Sequence, residues 1–176
     1  MEKIVQIPDK VTVTQQGAVL VVKGPKGELR RELRHPQVQI QVEGSQVKVS
    51  CSSSRRKMLA MTGTFAAHVR NMTLGVTKGY QARMKVVYSH FPIKVKVEGQ
   101  KVAVQNFLGE RDSRTVDVGQ QVKVQATKDE VIITGTDKEA VGQAAGMIER
   151  ITKVTGFDRR VFQDGIHLTH QASEAA

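Results

Sequence analysis

Hydrophobic and polar residues alternate with period two along most of the chain. Ile93, Val95 and Val97 alternate with Lys94, Lys96 and Glu98; Glu98-Gly99-Gln100 then turns the chain, and Val102 and Val104 resume the alternation. This pattern predicts a β-hairpin with one apolar face and one wet, lysine-bearing face. The same signal occurs earlier. Val5 and Ile7 form a short strand ended by Pro8, Val11 and Val13 lead to a Gln16-Gly17 turn, and Leu20 and Val22 lead back. Gly24-Pro25-Lys26-Gly27 is a tight turn by composition. Residues 28–34, ELRRELR, fit helix or strand on charge pattern alone. Val38, Ile40 and Val42 alternate up to Glu43-Gly44-Ser45, and Val47, Val49 and Cys51 return.

The period then changes. Met58, Met61, Phe65, Val69 and Met72 are spaced by three and four residues, one apolar helix face. Ser52-Ser53-Ser54 precedes it as a helix-capping cluster, and Gly75 and Gly79 end the first half of the chain. A second helix opens at Thr136-Asp137-Lys138-Glu139, which fits a capping box. Its apolar face is Val141, Ala144, Ala145, Ile148 and Ile151.

The two halves repeat. At an offset of 82 residues Gly17 meets Gly99, and Leu20 and Val22 meet Val102 and Val104. At the same offset Gly27-Glu28 meets Gly109-Glu110, and Ile40 and Val42 meet Val122 and Val124. Two residues further on, Val47 and Val49 meet Val131 and Ile133. The sequence therefore predicts an α+β protein of two tandem duplicated domains, residues 1–82 and 83–176. Each is a small antiparallel β-sheet covered by one α-helix.

Composition changes the picture mainly through charge. The 176 residues carry 27 Lys+Arg against 17 Asp+Glu, a net charge of +10 and a pI near 9.9, which predicts a polyanionic partner. Residues 1–82 hold 13 Lys+Arg against 5 Asp+Glu, and residues 83–176 hold 14 against 12. By charge alone the first repeat is the better polyanion binder. One cysteine, Cys51, allows no internal disulfide and reads as a buried strand residue. The chain shows no signal-peptide run and no bilayer-length apolar stretch, the pattern of a soluble cytosolic protein.

No nucleophile, base and orienting group converge in the sequence, so an enzyme is not expected, and no cofactor or metal is implied. His167 and His170 lack companion ligands and read as part of a C-terminal tail. Gly24-Pro25-Lys26-Gly27 has the GxxG form of a phosphate-clamping loop, but it follows an alternating strand and reads as a strand-to-strand turn. Gly142 and Gly146 suggest close helix-to-sheet packing. The stronger candidates are two loops. Gln105–Arg114 offers two arginines, two amides and Phe107, a set suited to phosphate pairing and base stacking. Residues 153–166 mix Lys153, Arg159 and Arg160 with Phe157 and Phe162, and read equally as a C-cap at Gly156 followed by a packed return strand.

The duplicated unit, the NFLGER run in the second hairpin loop and Arg160-Val-Phe162-Gln-Asp164-Gly165-Ile166 together resemble the ribosomal large-subunit protein six family in its archaeal and eukaryotic form. Gln143, Met147 and Arg150 fall where that family's signature has Gln, an aliphatic residue and a base; His167 stands where it usually has Tyr. The resemblance covers Glu2 to Ile166. It implies a structural constituent of the large ribosomal subunit, cytoplasmic and without catalysis. Such a protein binds large-subunit (23S-type) rRNA near the sarcin–ricin loop and the translation-factor site. Its expected protein neighbours are other large-subunit proteins and the stalk base, with no membrane and no DNA. Carried onto this chain, the rRNA-binding residues are Lys101, Asn106, Arg111 and Arg114 in the hairpin and loop, with Lys153, Arg159 and Arg160 at the C-terminal motif. Asp164 and Gly165 shape the turn there. Lys26, Arg30 and Arg31 form a second possible surface. The competing reading is a scaffold whose basic surface meets acidic protein partners.

Overall fold

The computed structural model describes residues 2–53 and 55–175. The chain forms two compact units, Met1–Gly79 and Tyr80–Ala176, and its class is α+β.

The first unit runs β1 (Glu2–Gln6), β2 (Thr12–Gln16), β3 (Val19–Gly24), β4 (Gly27–Glu32), β5 (Val38–Glu43), β6 (Gln46–Cys51) and α1 (Arg56–Thr77). Within ELRRELR, residues 28–32 are strand: Glu28 pairs with Lys23 and Arg31 with Leu20. The strands divide between two antiparallel sheets, ordered β1-β6-β5 and β2-β3-β4. The alternating apolar positions of both sheets meet α1 in one core, centred on Leu20, Val22, Val47, Val49, Val69 and Val76. Helix α1 passes through Gly75 and ends at Lys78, after which Gly79 takes φ +76. Its N-cap is Arg55 and has no side-chain cap bond; Ser53 Oγ only accepts the Arg55 N–H at 3.4 Å, and Ser54 lies outside the described residues.

The GxxG turn is a clamp on the end of α1. The Lys26 N–H donates to the Val76 carbonyl at 2.9 Å, and Lys26 Nζ donates to the Lys78 carbonyl. Gly24 lies so close that an added Cβ would stand 2.6 Å from Val76 Cγ2 and 2.9 Å from its carbonyl oxygen. One of those atoms is backbone and cannot step aside. Gly24→Ala is therefore expected to cost about 2–3 kcal/mol, at the upper end of overpacking, as a lower urea midpoint with an unchanged m-value. A midpoint equal to wild type would show that the clamp yields.

The second unit runs β7 (Tyr80–Val87), β8 (Lys94–Glu98), β9 (Lys101–Gln105), β10 (Arg114–Asp117), β11 (Val122–Ala126), β12 (Glu130–Gly135), α2 (Lys138–Ile151) and β13 (Gly165–Glu174). Its sheets are β8-β9-β10 and β11-β12-β7-β13. Strand β13 has no counterpart in the first unit; it carries the C-terminal segment onto β7 with two register irregularities. Asp137, rather than Thr136, caps α2 by accepting the Glu139 N–H at 3.0 Å.

The strand pairs also sharpen the repeat. Gln16 pairs with Val19 as Glu98 pairs with Lys101, which keeps the 82-residue offset. Val38 pairs with Cys51, and 84 residues further on Val122 pairs with Gly135. The structural partner of Val122 is thus Val38, not Ile40. Gly27-Glu28 and Gly109-Glu110 are not equivalent either. The former opens β4 directly, whereas the latter lies in a loop of residues 106–113 between β9 and β10. That loop is the main insertion of the second repeat.

Candidate nucleic-acid interface

The insertion has a built interior. After Gln105 the chain enters left-handed conformations at Asn106 (φ 59) and Leu108 (φ 51), which non-glycine residues adopt only where surroundings hold them. Asn106 Nδ2 donates to the Pro92 carbonyl at 3.1 Å. A short 3-10 turn, Phe107–Gly109, follows. Phe107 is 0% exposed, so the expectation that it stacks on a base fails: the ring is a core plug. Arg114 lies over that ring with its guanidinium carbon 4.4 Å from the centroid. Its Nη2 and Nε donate to the two Glu110 carboxylate oxygens at 2.5 and 2.8 Å, and Nη1 donates to the Ile151 carbonyl at the end of α2 at 2.7 Å. The hydrogen bonds from Arg114, aided by its charge, hold the Glu110 carboxyl below its ordinary pKa of 4.5.

Arg111 differs. It is exposed, and its side chain makes no hydrogen bond or ion pair with the described residues. With Asn106, Gln105 and Lys94 it lines an open depression of about 690 Å³. Lys101 is exposed at the start of β9, in register between Glu98 on one side and Asp117 on the other.

The C-terminal motif is tied to the end of α2. The buried Thr152 hydroxyl donates to the Ile148 carbonyl at 3.2 Å and accepts the Ile166 N–H at 3.1 Å. Asp164 is 2% exposed, and its Oδ1 accepts the Ser89 N–H at 3.0 Å, which links the motif to the end of β7. A Cβ at Gly165 would stand 3.0 Å from His167 Nε2 and 3.3 Å from the Thr152 carbonyl. Between these anchors, Asp158 turns the chain. Its Oδ1 accepts the Arg160 N–H, and its carbonyl accepts from Val161 and Phe162. The turn leaves Arg159 and Arg160 exposed, and Phe157 packs on Phe162 with centroids 5.0 Å apart. Lys153 and Arg159 line a cavity of about 670 Å³ together with Arg150, Phe162, Asp164 and His167. Arg150, named from sequence only as a position of the family signature, and Phe162, named only as an aromatic of the basic loop, join the site here. The spacing of Arg150 and Lys153, three residues apart across a helix end, is the signal that pairs them.

The seven sequence-predicted residues thus fall into three settings. Asn106 and Arg111 share the loop depression, and Lys153 and Arg159 share the motif cavity with Arg160 on the adjoining turn. Lys101 and Arg114 line neither. In the first unit, Arg30 Nε donates to Glu28 at 2.6 Å, Lys23 pairs with the same carboxylate at 3.2 Å and Lys26 bonds the end of α1, so these three cations of the hairpin have internal partners, and Arg31 is not free either.

These features define a tandem-repeat α+β protein with cationic loop surfaces. The pattern described as ribosomal protein L6 matches residues 7–79 and 91–165, one stretch in each unit. The chain belongs to this family, whose members are structural ribosomal proteins and not enzymes. It is 52% identical over 165 residues to large ribosomal subunit protein uL6 of Methanothrix thermoacetophila, covering 94% of each chain. It is 45% identical to that of Methanospirillum hungatei, covering 99% of each, and 41% identical to that of Methanosarcina mazei, covering 97% of each.

Proposed function

We propose that the chain is a structural constituent of the large subunit of cytoplasmic ribosomes and binds large-subunit rRNA through its second unit. The reading rests on full-length identity to proteins named for that subunit. One structural observation carries the RNA assignment. Arg111, Lys153, Arg159 and Arg160 are exposed cations whose side chains have no partner among the described residues, presented by loops whose own interiors are fixed. Structured RNA is recognised through phosphates, 2′-hydroxyls and shape, which such loops can meet. Lys101 adds a phosphate contact at the hairpin. Asn106 and Arg114 serve the interface from behind, by holding the loop. The contact proposed here lies near the sarcin–ricin loop and the translation-factor site, with other large-subunit proteins and the stalk base as neighbours, a reading supported by the family resemblance alone.

The direct test is sedimentation of the tagged protein with large subunits through a high-salt wash. Retention is expected, with release only when the rRNA is digested. Recovery in the free fraction bound to an acidic protein would replace this reading with the scaffold one.

A further inference from the structure

We infer that the cavity at the C-terminal end of α2 receives a single RNA nucleotide turned out of its stack. This rests on the rRNA-binding reading and specifies one contact within it.

Three observations converge. First, Gly146 lines the cavity from an exposed helix face, and a Cβ there would meet nothing within 4 Å. Gly142, one turn earlier, is equally open. The expectation that these glycines serve helix-to-sheet packing therefore fails. Each destabilises α2 by roughly 0.5–1 kcal/mol relative to alanine, and nothing among the described residues offsets that. A bare glycine on a cavity wall leaves room for close approach from outside. Second, Asp164 lines the same cavity and its Oδ2 is buried with no hydrogen-bond partner. An orphaned buried carboxylate oxygen is costly. The last torsion of the side chain is soft, so a modest turn presents that oxygen to a donor. Third, the remaining wall suits a nucleotide: Phe162 offers a ring, and Arg150, Lys153 and Arg159 offer three cations against the one further carboxylate, Glu149. The volume, about 670 Å³, falls in the range of roughly 300–1,000 Å³ typical of small-ligand sites.

The chemistry follows. Unstacked bases are held by aromatic faces and read at their edges. Here the base lies against Phe162, an N–H of its edge donates to Asp164 Oδ2, and the flanking phosphates meet Lys153 and Arg159.

Gly146→Leu tests this in the full chain. Leucine fills the cavity wall from an exposed helix position, so the melting temperature is expected to hold or rise. Affinity for large-subunit rRNA is expected to fall about tenfold or more, the scale of removing one stacked base. Phe162→Leu, which keeps apolar bulk and removes the ring, is expected to weaken binding similarly and makes the same test should Gly146→Leu perturb folding. A folded Gly146→Leu protein that binds as tightly as wild type overturns the inference and leaves the rRNA reading standing. Failure of the wild-type chain itself to bind rRNA is a different result and sinks the reading on which this one rests.

Discussion

Arg114→Ala is expected to destabilise the second unit by about 2 kcal/mol, whereas Arg111→Ala is expected to stay within about 0.5 kcal/mol of wild type. Both arginines lie in one loop, and the sequence offers no reason to separate them. The structure does. The Glu110 pair alone counts for little, because the two side chains are 29% and 40% exposed and exposed ion pairs contribute about 0–1 kcal/mol. The rest comes from the bond to the Ile151 carbonyl, which satisfies an orphan acceptor at the end of α2, and from the cation lying on the Phe107 ring. Alanine at 114 opens the lid over that fully buried ring. The pair also gives a pH signature. The folded Glu110 carboxyl has a lowered pKa, so its stabilisation is full above the ordinary value of 4.5 and is lost as pH falls through the lowered one. Urea midpoints at neutral and acid pH check both points. Arg114→Ala should flatten the acid limb and Arg111→Ala should leave it unchanged. Equal destabilisation by the two substitutions would remove the division of labour proposed for the loop.

That division shows what the residues alone could and could not reveal. The strands were legible because Val102 and Val104 or Val47 and Val49 alternate strictly and are all fully buried. Both helices were legible from their three- and four-residue spacing. Partition into two sheets per unit was not, because alternation fixes a strand's faces and says nothing of its neighbour across space. A return strand after Gly156 was legible, but its run through His167 and His170, which read as tail, escaped for a related reason. After Gly165 and Ile166 nearly every residue is exposed, so no period-two signal marks it; backbone pairing to β7 makes the strand. The same logic hid the loop interior. Phe107 among Asn, Gly, Glu and Arg looks like a surface aromatic, and its burial depends on the left-handed turns at Asn106 and Leu108. Charge arithmetic points to the other unit: the first repeat carries the larger excess, although its hairpin cations Lys26 and Arg30 bond within the unit.

The charge question has a sharp experimental form. Replacing Lys153, Arg159 and Arg160 together with glutamate lowers the net charge from +10 to +4, since each change removes two units. Replacing Arg55, Arg56 and Lys57 at the start of α1 with glutamate lowers it by the same amount. If attraction to rRNA were a property of total charge, the two triples would weaken binding equally. If the second unit holds the contact, only the first triple will. Each phosphate that is no longer neutralised should also reduce the slope of log K against log salt by roughly 0.7–0.9, so three such phosphates predict a change of about 2–3. Acidic residues in the first turn of α1 meet a helix that has none there and no side-chain cap. The control triple should therefore hold or raise stability through the helix dipole, and a melting temperature of the Lys153, Arg159 and Arg160 triple close to wild type excludes unfolding as the cause of its loss. The expected result is a fall of several orders of magnitude at low salt, with a shallower salt slope, for the Lys153, Arg159 and Arg160 triple alone. Equal losses and equal slopes would move the interface from the loops of the second unit to the protein's overall charge.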